Sequence, residues 1–486
     1  MSYRGLDRDS IEEYVRIAGE TADTITKELT KESVFDPIMI HALDTVESMI
    51  KKKKCVVYGG TALNAIMPVY LQFYDPEYDL PDWDFFTNDP IMIAIEIADK
   101  VQSKTGTEVS VTTAAHEGTY KIFTEGQAIA DITYVPKDVL NILREHSIVK
   151  DGIHYSGPDY LRMSSYLELS RPLGQPDRWE KVMRRLSLLN KAYPIKIPVK
   201  KTKHDDKVRG IKTRLLRLLM DIQDTKTLRK NGDGSTFAFI GPEIFSVVRR
   251  ILQKSGSSKS STGVIVGVGS VPGGIMLMSP SPEKTCELVL KCIRESGSGI
   301  RGESYSFVKK DGSGEFLGER YIIYSGKGEK IGRELCTIVG VNNACQSIYT
   351  IRVKHEKTTR SIRIGSVESL LYIYNSLLFS EKKDIETFGE HEILRAIDSL
   401  IKLHIRILTI QKKPVIPFPT ECIGEQETIK KMREDKKRSI KKLLAERGKT
   451  SIEYIRRNIR YDGGDKNMRR IIERAIEREK EHTNIS

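Results

Sequence analysis

Two short stretches near the start of the chain combine residue types that can carry out phosphoryl chemistry. VVYGGTALNAIM, Val56 to Met67, ends an apolar run with two glycines, and PDWDFF, Pro81 to Phe86, places Asp82 and Asp84 on either side of a tryptophan. Residues two apart on a strand point to the same face, so both carboxylates would face one point. Carboxylates so placed can bind the two divalent metal ions that stabilise the attacking and leaving oxygens of nucleotidyl transfer. The spacing therefore predicts a two-metal catalytic site.

A third carboxylate is expected on a neighbouring strand. The segment AIADITYV places Asp131 among apolar residues, with Ile129 and Ile132 close to it in sequence. An acidic side chain inside such a strand needs a partner or a metal ion, because an unpaired buried charge is costly. We therefore predict that Asp131 joins Asp82 and Asp84 as a catalytic residue and metal ligand.

The two glycines are expected to hold a phosphate group. Gly59 and Gly60 end a predicted strand and open a predicted helix, which Thr61 can cap. Glycine lets the backbone approach a phosphate closely, and a helix N-terminus offers free N–H groups and a positive dipole end. Thr61 adds a hydroxyl and Asn64 lies one turn further on. We predict that these four residues bind the triphosphate of an incoming nucleotide.

A basic helix is predicted shortly after this region, within Arg171 to Pro194. Its apolar residues follow one helical face, while Lys181 and Arg184 fall elsewhere and are well placed to contact nucleotide phosphates. The alternative is an exposed helix with solvated charges. In HEGTYKIF, His116 and Lys121 could touch substrate, but a hairpin without a role in the site is the favoured interpretation.

The predicted elements that must position these residues alternate between strands and helices. Two helices are predicted within residues 10–50, and other helices and strands follow in the order 55–58 (strand), 61–67 (helix), 82–86 (strand), 91–103 (helix), 109–113, 119–123 and 128–134 (strands) and 178–190 (helix). This mixture indicates an α+β (mixed α/β) fold. We predict three parts: a catalytic domain at 1–194 with N-terminal helices, a second α/β domain at 195–386, and a basic helical region at 387–486.

The positive charge of the chain is concentrated in two segments. Of the net charge of +13, residues 195–230 carry +8 and residues 429–482 carry +9, which leaves −4 for the rest. Such concentration favours a surface for a polyanion such as RNA over general solubility, although solvated charged helices are the alternative.

The cysteines and the apolar runs bound the cellular location. The six cysteines form no CxxC and no zinc-binding pattern, so we expect buried thiols in a reducing compartment. The sequence predicts no secretory signal and no membrane span. The protein is therefore expected to be intracellular or packaged inside a particle.

The order GGTALN, DWDFF and ADI resembles the DNA polymerase beta-like nucleotidyltransferase superfamily. Within it, the residues most resemble poly(A) polymerase catalytic subunits of poxviruses and other large cytoplasmic DNA viruses, with the motifs in about residues 50–195. The resemblance implies that Asp82 and Asp84 bind both metals, and that Asp131 binds the catalytic metal and orients the 3′-hydroxyl. One departure is the 21-residue gap at 61–81 between Gly60 and Asp82, which is longer than in many members of the superfamily.

The resemblance also implies an activity and a setting. The activity is template-independent addition of AMP from ATP to mRNA 3′ ends, with Mg²⁺ or Mn²⁺, in the host cytoplasm or the virion. The implied partners are the RNA 3′ end and ATP, with a homodimer or a viral processivity subunit left open. GSVESLLYIYNSLLF, Gly365 to Phe379, repeats the strand–glycine–helix pattern without a following DxD, as an inactive second nucleotidyltransferase-like domain would. The alternatives are a terminal uridylyl or other nucleotidyltransferase, and an inert RNA-binding subunit.

Overall fold

The computed structural model shows a mixed α+β protein, which confirms the predicted fold class. The described residues are 8–34, 36–75, 78–197, 215–216, 219–220, 223, 236–241, 275–295, 304–310, 318–327, 330–341, 344–355, 358–379, 389–409 and 419–485. Within these ranges the chain forms 13 α-helices and two mixed sheets of eight strands each. None of the helices in these ranges combines the length and apolar character needed to cross a bilayer.

The chain divides into two compact units. The first comprises Met1–Gly157 and Ile429–Ser486, and the second comprises Pro158–Thr428, so the chain passes between the units twice. The C-terminal helices thus belong to the same unit as the three predicted catalytic aspartates. This division groups the residues differently from the three predicted parts at 1–194, 195–386 and 387–486. Whether each of those parts folds independently is a separate matter, and the three-part division stays a prediction.

The first unit is built around one sheet. Its helices are α1 (Arg8–Val34), α2 (Pro37–Lys53), α3 (Gly59–Ile66), α4 (Pro90–Thr105), α5 (Lys137–Glu145), α11 (Ile429–Arg447), α12 (Ile452–Asn458) and α13 (Lys466–Ile485). Its strands are β1 (Val56–Val57), β2 (Trp83–Thr87), β3 (Val109–Thr113), β4 (Thr119–Thr124), β5 (Gln127–Tyr134), β6 (Ile148–Lys150), β7 (Ile153–Tyr155) and β16 (Arg460–Asp462). The predicted helices and strands of this region are confirmed, with small shifts in their ends.

The order of strands in this sheet brings three predicted site segments together. The order is β16-β3-β4-β5-β2-β1-β7-β6, with β2 parallel to β5 and antiparallel to β1. A tight turn at Glu125 and Gly126, both with positive φ, joins β4 and β5 as a hairpin. The strands that carry Asp84 and Asp131 are therefore neighbours, and the turn at Gly59 follows the next strand along.

Local sequence explains where α2 begins and ends. The Asp36 side chain accepts a hydrogen bond from the backbone N–H of Ile38 at 2.9 Å, and Pro37 occupies the first turn. Basic residues 51–53 fill the last turn, where positive charge suits the helix dipole, and Lys54 ends the helix in the left-handed region. The buried face of the helix includes Val46 and Ile50, each of which contributes roughly 1.5–3 kcal/mol on burial.

One carboxylate ties the C-terminal segment to the first unit. Asp99 on α4 accepts hydrogen bonds from the Tyr461 hydroxyl at 2.5 Å and the Gly464 backbone N–H at 2.7 Å, and pairs with Arg469 at 2.8 Å. Strand β16 meanwhile pairs antiparallel with β3, with Tyr461 opposite Val111. The C-terminal region therefore supplies an edge strand to the sheet.

The second unit contains its own sheet. Its helices are α6 (Pro158–Leu169), α7 (Trp179–Ala192), α8 (Pro282–Glu295), α9 (Val367–Leu377) and α10 (Glu390–Thr409). Its strands are β8 (Ala238–Phe239), β9 (Ile275–Ser279), β10 (Ser304–Lys310), β11 (Arg320–Lys327), β12 (Lys330–Gly340), β13 (Gln346–His355), β14 (Thr358–Gly365) and β15 (Cys422–Ile423). The sheet order is β10-β11-β12-β9-β8-β14-β13-β15.

The glycine–serine turn at the end of β14 opens a buried helix. Ser366 caps α9 by accepting a hydrogen bond from the Ser369 backbone N–H, and Glu368 in the first turn pairs with His404 at 3.2 Å. Both members of this pair are buried. The strand–turn–helix predicted for this segment is thus present, while its origin as an inactive nucleotidyltransferase-like domain stays a prediction.

Some sequence predictions fall outside the described residues. Most of the basic segment at 195–230 does. The sequence predicts a basic amphipathic helix at 208–219, of which only Leu215, Leu216 and Leu219 are described, and a strand in VIVGVG at 264–269, which is outside the described residues. Nothing in the fold therefore tests the first of the two basic segments.

The expectation that all six cysteines are thiols is wrong for one pair. Cys345 and Cys422 form a disulfide, with a Cα–Cα distance of 5.3 Å. The bond is made possible because β15 pairs antiparallel with the start of β13, which places Ser347 opposite Cys422. The other four cysteines, Cys55, Cys286, Cys292 and Cys336, are free, and all but Cys292 are buried.

Candidate active site

The turn at Gly59 is shaped by a close approach between backbone and carboxylate. Gly59 has a φ of +71°, and a Cβ atom there would lie 2.6 Å from Oδ2 of Asp84. Both facts exclude a side chain, since the left-handed region strains other residues and the space is taken. Helix α3 begins at this residue, and the side chain of its N-cap residue, Tyr58, makes no capping hydrogen bond. The N-terminus of α3 thus lies against the Asp84 carboxylate. In general, the N–H groups of a helix N-terminus can bind an anion.

Asp84 and Asp131 lie side by side on parallel strands. They are register partners in the pairing of β2 with β5, and both side chains are partly buried. Register partners place their side chains on the same face of a sheet. Trp83 and Phe85, which flank Asp84 on the strand, are buried on the opposite face. The sheet thus places two of the three predicted carboxylates together.

Asp82 does not lie on the strand with Asp84, as its spacing predicts, but in the backbone turn just before it. Strand β2 begins at Trp83, so Asp82 lies just before it and is exposed. The backbone N–H of Asp84 donates to the Asp82 carbonyl at 3.0 Å, which forms a tight turn rather than a straight strand. The Thr61 hydroxyl donates to the same carbonyl at 2.6 Å. Helix α3 therefore fixes the backbone of Asp82.

Tyr58 reports the combined charge of the three carboxylates. Its ring stacks on Phe86 with centroids 4.0 Å apart, and its hydroxyl shares a 2.9 Å hydrogen bond with Thr133. Burial raises the pKa of Tyr58, and the negative charges of Asp84, Asp131 and Asp82 raise it further. Each of the three carboxylates is therefore near enough to the Tyr58 hydroxyl to raise its pKa. The sequence offered no signal for Tyr58, which looks like the last residue of an apolar strand.

Asp131 already has a cationic partner. Nζ of Lys121 on β4 lies 2.5 Å from Oδ2 of Asp131. Lys121 lies in a hairpin, as expected, and contacts Asp131, while the favoured interpretation that it has no role in the site stays a prediction. The two residues are register partners across the β4–β5 hairpin.

The carboxylates suit a divalent cation in chemistry but do not form a closed cage. Oxygen ligands from carboxylates are those that Mg²⁺ and Mn²⁺ prefer. In the ranges that the structure describes, however, no three His, Cys, Asp or Glu side chains are grouped so that they could hold a metal ion as they stand. The assignment of Asp82, Asp84 and Asp131 as metal ligands stays a prediction, supported by donor type and by their placement.

Thr61 and Asn64 are engaged with protein rather than held free. The predicted cap at Thr61 is wrong in position, because Tyr58 is the N-cap and Thr61 lies inside the first turn of α3. The Asn64 side-chain oxygen accepts hydrogen bonds from the backbone N–H groups of Phe73 at 2.7 Å and Tyr74 at 3.1 Å. Asn64 thus fixes the long segment between the glycines and Asp82. Contact of either residue with a nucleotide stays a prediction, as it does for Gly59 and Gly60.

Lys181 and Arg184 lie on α7, in the second unit. The helix is present as predicted and buries Val182, Leu186 and Leu189. Both basic side chains are exposed, and Arg184 pairs with Glu180 one turn away at 3.1 Å. Their role as nucleotide ligands stays a prediction.

Comparison with known proteins points to one family over the region that holds the site. Residues 44–175 match the family described as poly(A) polymerase catalytic subunit. A protein of African swine fever virus (isolate Pig/Kenya/KEN-50/1950) is 30% identical over 168 residues, which are 33% of this chain and 35% of the relative. One from Acanthamoeba polyphaga mimivirus is 32% identical over 157 residues, 32% of this chain and 26% of the relative. Both relatives are themselves described as poly(A) polymerase catalytic subunits by prediction only.

The similarity in fold extends further than the similarity in sequence. The sequence alignments span about a third of the length of these relatives or less. The crystal structure of the Megavirus polyadenylate synthase, by contrast, matches 91% of this chain and 86% of its own, with a TM-score of 0.68 and 21% identity. The segment that carries Gly59, Asp84 and Asp131 thus matches the poly(A) polymerase catalytic-subunit family, in a chain that has the fold of a viral polyadenylate synthase.

Proposed function

We propose that the protein is a poly(A) polymerase, which transfers AMP from ATP to the 3′-hydroxyl of RNA without a template. One observation carries the proposal: Asp84 and Asp131 lie together on neighbouring strands, and the Asp84 carboxylate lies against the N-terminus of α3 at Gly59. All of these residues fall within the segment that matches the family. The choice of ATP is supported by the descriptions of the relatives and not by any residue of this chain.

The chemistry requires that the RNA 3′ oxygen attacks the α-phosphorus of ATP while the bond to the leaving pyrophosphate breaks. Asp84 and Asp131, with Asp82, would hold Mg²⁺ or Mn²⁺. When bound, the metal neutralises phosphate charge and favours loss of the proton from the attacking hydroxyl. The N–H groups at the start of α3 would receive the triphosphate. Thr61 contributes by fixing the Asp82 backbone, and Asn64 by holding the segment that leads to it.

A basic helix of the first unit is the proposed contact for the RNA backbone. The inner face of α11 docks through Lys436, whose Nζ donates to the Thr113 hydroxyl and the Ala114 carbonyl at 2.7 Å each. The outer face is exposed and carries seven basic side chains, namely Lys430, Lys431, Arg433, Lys437, Arg438, Lys441 and Lys442. Such a row suits a single-stranded polyanion and predicts binding that depends on salt and little on sequence.

The experiment that tests the function is primer extension by the purified chain. A short RNA with a free 3′-hydroxyl is incubated with Mg²⁺ or Mn²⁺ and each nucleoside triphosphate separately, and the products are resolved on a denaturing gel. We expect a ladder with ATP. The double variant Asp82→Ala, Asp84→Ala should lose extension by at least about a thousandfold and keep RNA binding. The control is Asp89→Ala, because Asp89 is an exposed acid near the end of β2 whose side chain makes no capping hydrogen bond to α4.

Other outcomes would change the proposal in specific ways. Extension with UTP or CTP alone would keep the three aspartates and replace the activity by another nucleotidyl transfer. Extension that persists in the double variant would overturn the assignment of the site. Tight RNA binding without extension by any nucleotide would indicate an inert RNA-binding subunit or a missing partner subunit.

A further inference from the structure

The contact between Lys121 and Asp131 concerns the charge balance of the site. Nζ of Lys121 lies 2.5 Å from Oδ2 of Asp131, and both side chains are partly buried, with exposed fractions of 37% and 21%. Attraction between opposite charges is stronger at a partly buried site than in open water. Lys121 therefore offsets the negative charge of Asp131.

The position of Lys121 depends on an irregularity in the hairpin. With the tight turn at Glu125 and Gly126, regular pairing in β4–β5 places Phe123 opposite Ala128 and would place Lys121 opposite Ala130. A register shift between Ile122 and Phe123 moves Lys121 by one residue, so that it faces Asp131 instead. Register shifts of this kind re-aim side chains and occur often near active sites. The irregularity thus places the ammonium group at the carboxylate.

The result is a row of charged groups across three adjacent strands. Lys121 on β4 is the register partner of Asp131 on β5, and Asp131 is the register partner of Asp84 on β2. Partners across a sheet share a face, so the ammonium group and both carboxylates lie on one surface. A divalent cation bound by Asp131 would lie close to the Lys121 ammonium group, and the two positive charges would repel each other.

We propose that Lys121 is a positioning residue, which occupies the cation position at Asp131 in the metal-free protein and gives way when a divalent ion binds. The inference rests on the proposed function, because it assumes that Asp131 is a metal ligand. Its purpose is to hold Asp131 in place and to limit repulsion among the three carboxylates before substrate arrives. Lys121 would consequently lower the affinity of the nucleotide-free protein for metal.

The test is binding of Mn²⁺ to the full chain without nucleotide or RNA, measured by electron paramagnetic resonance of the free ion. Lys121→Met replaces the lysine by an unbranched apolar side chain one atom shorter and removes the charge. We expect it to bind Mn²⁺ about fivefold more tightly than the wild type, the factor expected for loss of one partly exposed ion pair. Lys121→Arg keeps the charge, so its affinity should stay close to that of the wild type.

Lys53 provides a matched control. Its Nζ lies 3.0 Å from Glu96 in the same unit, with exposed fractions of 34% and 24%, close to those of the Lys121 pair. Lys53→Met therefore removes an equivalent ion pair away from the three aspartates and should leave Mn²⁺ affinity unchanged. Circular dichroism of each variant shows whether it is folded, and Mn²⁺ should raise the Tm of Lys121→Met more than that of the wild type.

The outcomes separate this inference from the proposed function. Equal or weaker Mn²⁺ binding by folded Lys121→Met overturns the role of Lys121 alone, and so does an equal gain in Lys121→Arg. A failure of every variant to bind Mn²⁺ overturns the inference together with the proposed metal site. If Lys121→Met does not fold without metal and Mn²⁺ does not restore its fold, the contact is structural and the inference fails.

Discussion

At the scale of single residues, the site depends on one glycine more than on the pair. Gly59 is the position where the backbone is left-handed and where the Asp84 carboxylate fills the space of a side chain, whereas Gly60, the next residue of α3, has no positive φ. The other polar residues of the motif support the backbone. Thr61 holds Asp82, and Asn64 holds the segment at 73–74. A motif that suggests direct contacts with a nucleotide thus also encodes the scaffold of the carboxylates.

Replacement of Gly59 by alanine should separate backbone strain from damage to the site. Gly106 provides the control, since its φ of +72° matches the +71° of Gly59 but a Cβ there would meet nothing within 4 Å. Both variants should lose about 1–2 kcal/mol of unfolding free energy from strain. Only Gly59→Ala must also displace Asp84, so it should lose AMP transfer by about a hundredfold or more. Denaturant unfolding and primer extension measure the two effects.

The opposite result is equally informative. Normal extension by a folded Gly59→Ala variant would mean that Asp84 can move without loss, which contradicts its assignment as a metal ligand in this geometry.

At the scale of elements, the periodicity of apolar residues predicted the helices and strands, whose formation depends on residues close in sequence. The helices at 90–105 and 179–192 and the strands at 109–113 and 127–134 follow from apolar spacing and turn residues. The placement of Asp131 beside another charged group could be predicted, because an unpaired acid within an apolar strand is costly. Lys121 could not, because a shift of one residue in the hairpin decides which side chain it faces, and no local pattern encodes that shift.

Contacts between distant parts of the chain escaped the sequence reasoning for a related reason. Strand β16 joins the sheet at β3, although about 350 residues separate Tyr461 from Val111. Three residues form too short a segment to show a period. The carboxylate of Asp99 that receives Tyr461 looks in sequence like any solvated acid of an amphipathic helix. The basic C-terminal helices were therefore expected to form a separate region.

The exposed face of α11 predicts a measurable electrostatic effect on RNA binding. Lys437→Glu with Lys441→Glu reverses two charges on that face, where both residues are exposed. Affinity for single-stranded RNA should fall about tenfold or more at low salt, and the slope of log affinity against log salt should become shallower by about 1.4. Lys100→Glu with Lys104→Glu on α4 makes the same change in net charge at other exposed positions.

Fluorescence anisotropy of labelled RNA at several salt concentrations measures both quantities. If the α4 pair reduces the slope as much as the α11 pair, net charge controls binding and α11 is not a specific contact.

At the scale of the whole molecule, the disulfide attaches the segment around Cys422 to the second unit, shortly before the chain returns to the first unit. Cys422 bonds to Cys345, and the chain enters the first unit again at Ile429. The segment is held by further contacts: the Ile348 N–H donates to the Glu421 carbonyl at 2.9 Å, and Gly424, at a φ of +93°, lies against the Ala344 carbonyl. The sequence gives no sign of this pairing, because the two cysteines are 77 residues apart and their approach depends on the sheet.

Reduction of this bond should destabilise the second unit. Closing a loop of this length lowers the entropy of the unfolded chain and stabilises the fold by at most about 4.5 kcal/mol. A reducing agent should therefore lower the Tm of the wild type, whereas Cys422→Ser should start from the lower value and not respond. Cys336→Ser alters a buried free thiol and should keep the response. Alkylation of the unfolded, unreduced wild type followed by mass spectrometry should label four of its six cysteines. Labelling of all six would show that the purified chain lacks the bond, and the segment at 419–425 would then depend on its backbone pairing to β13 alone.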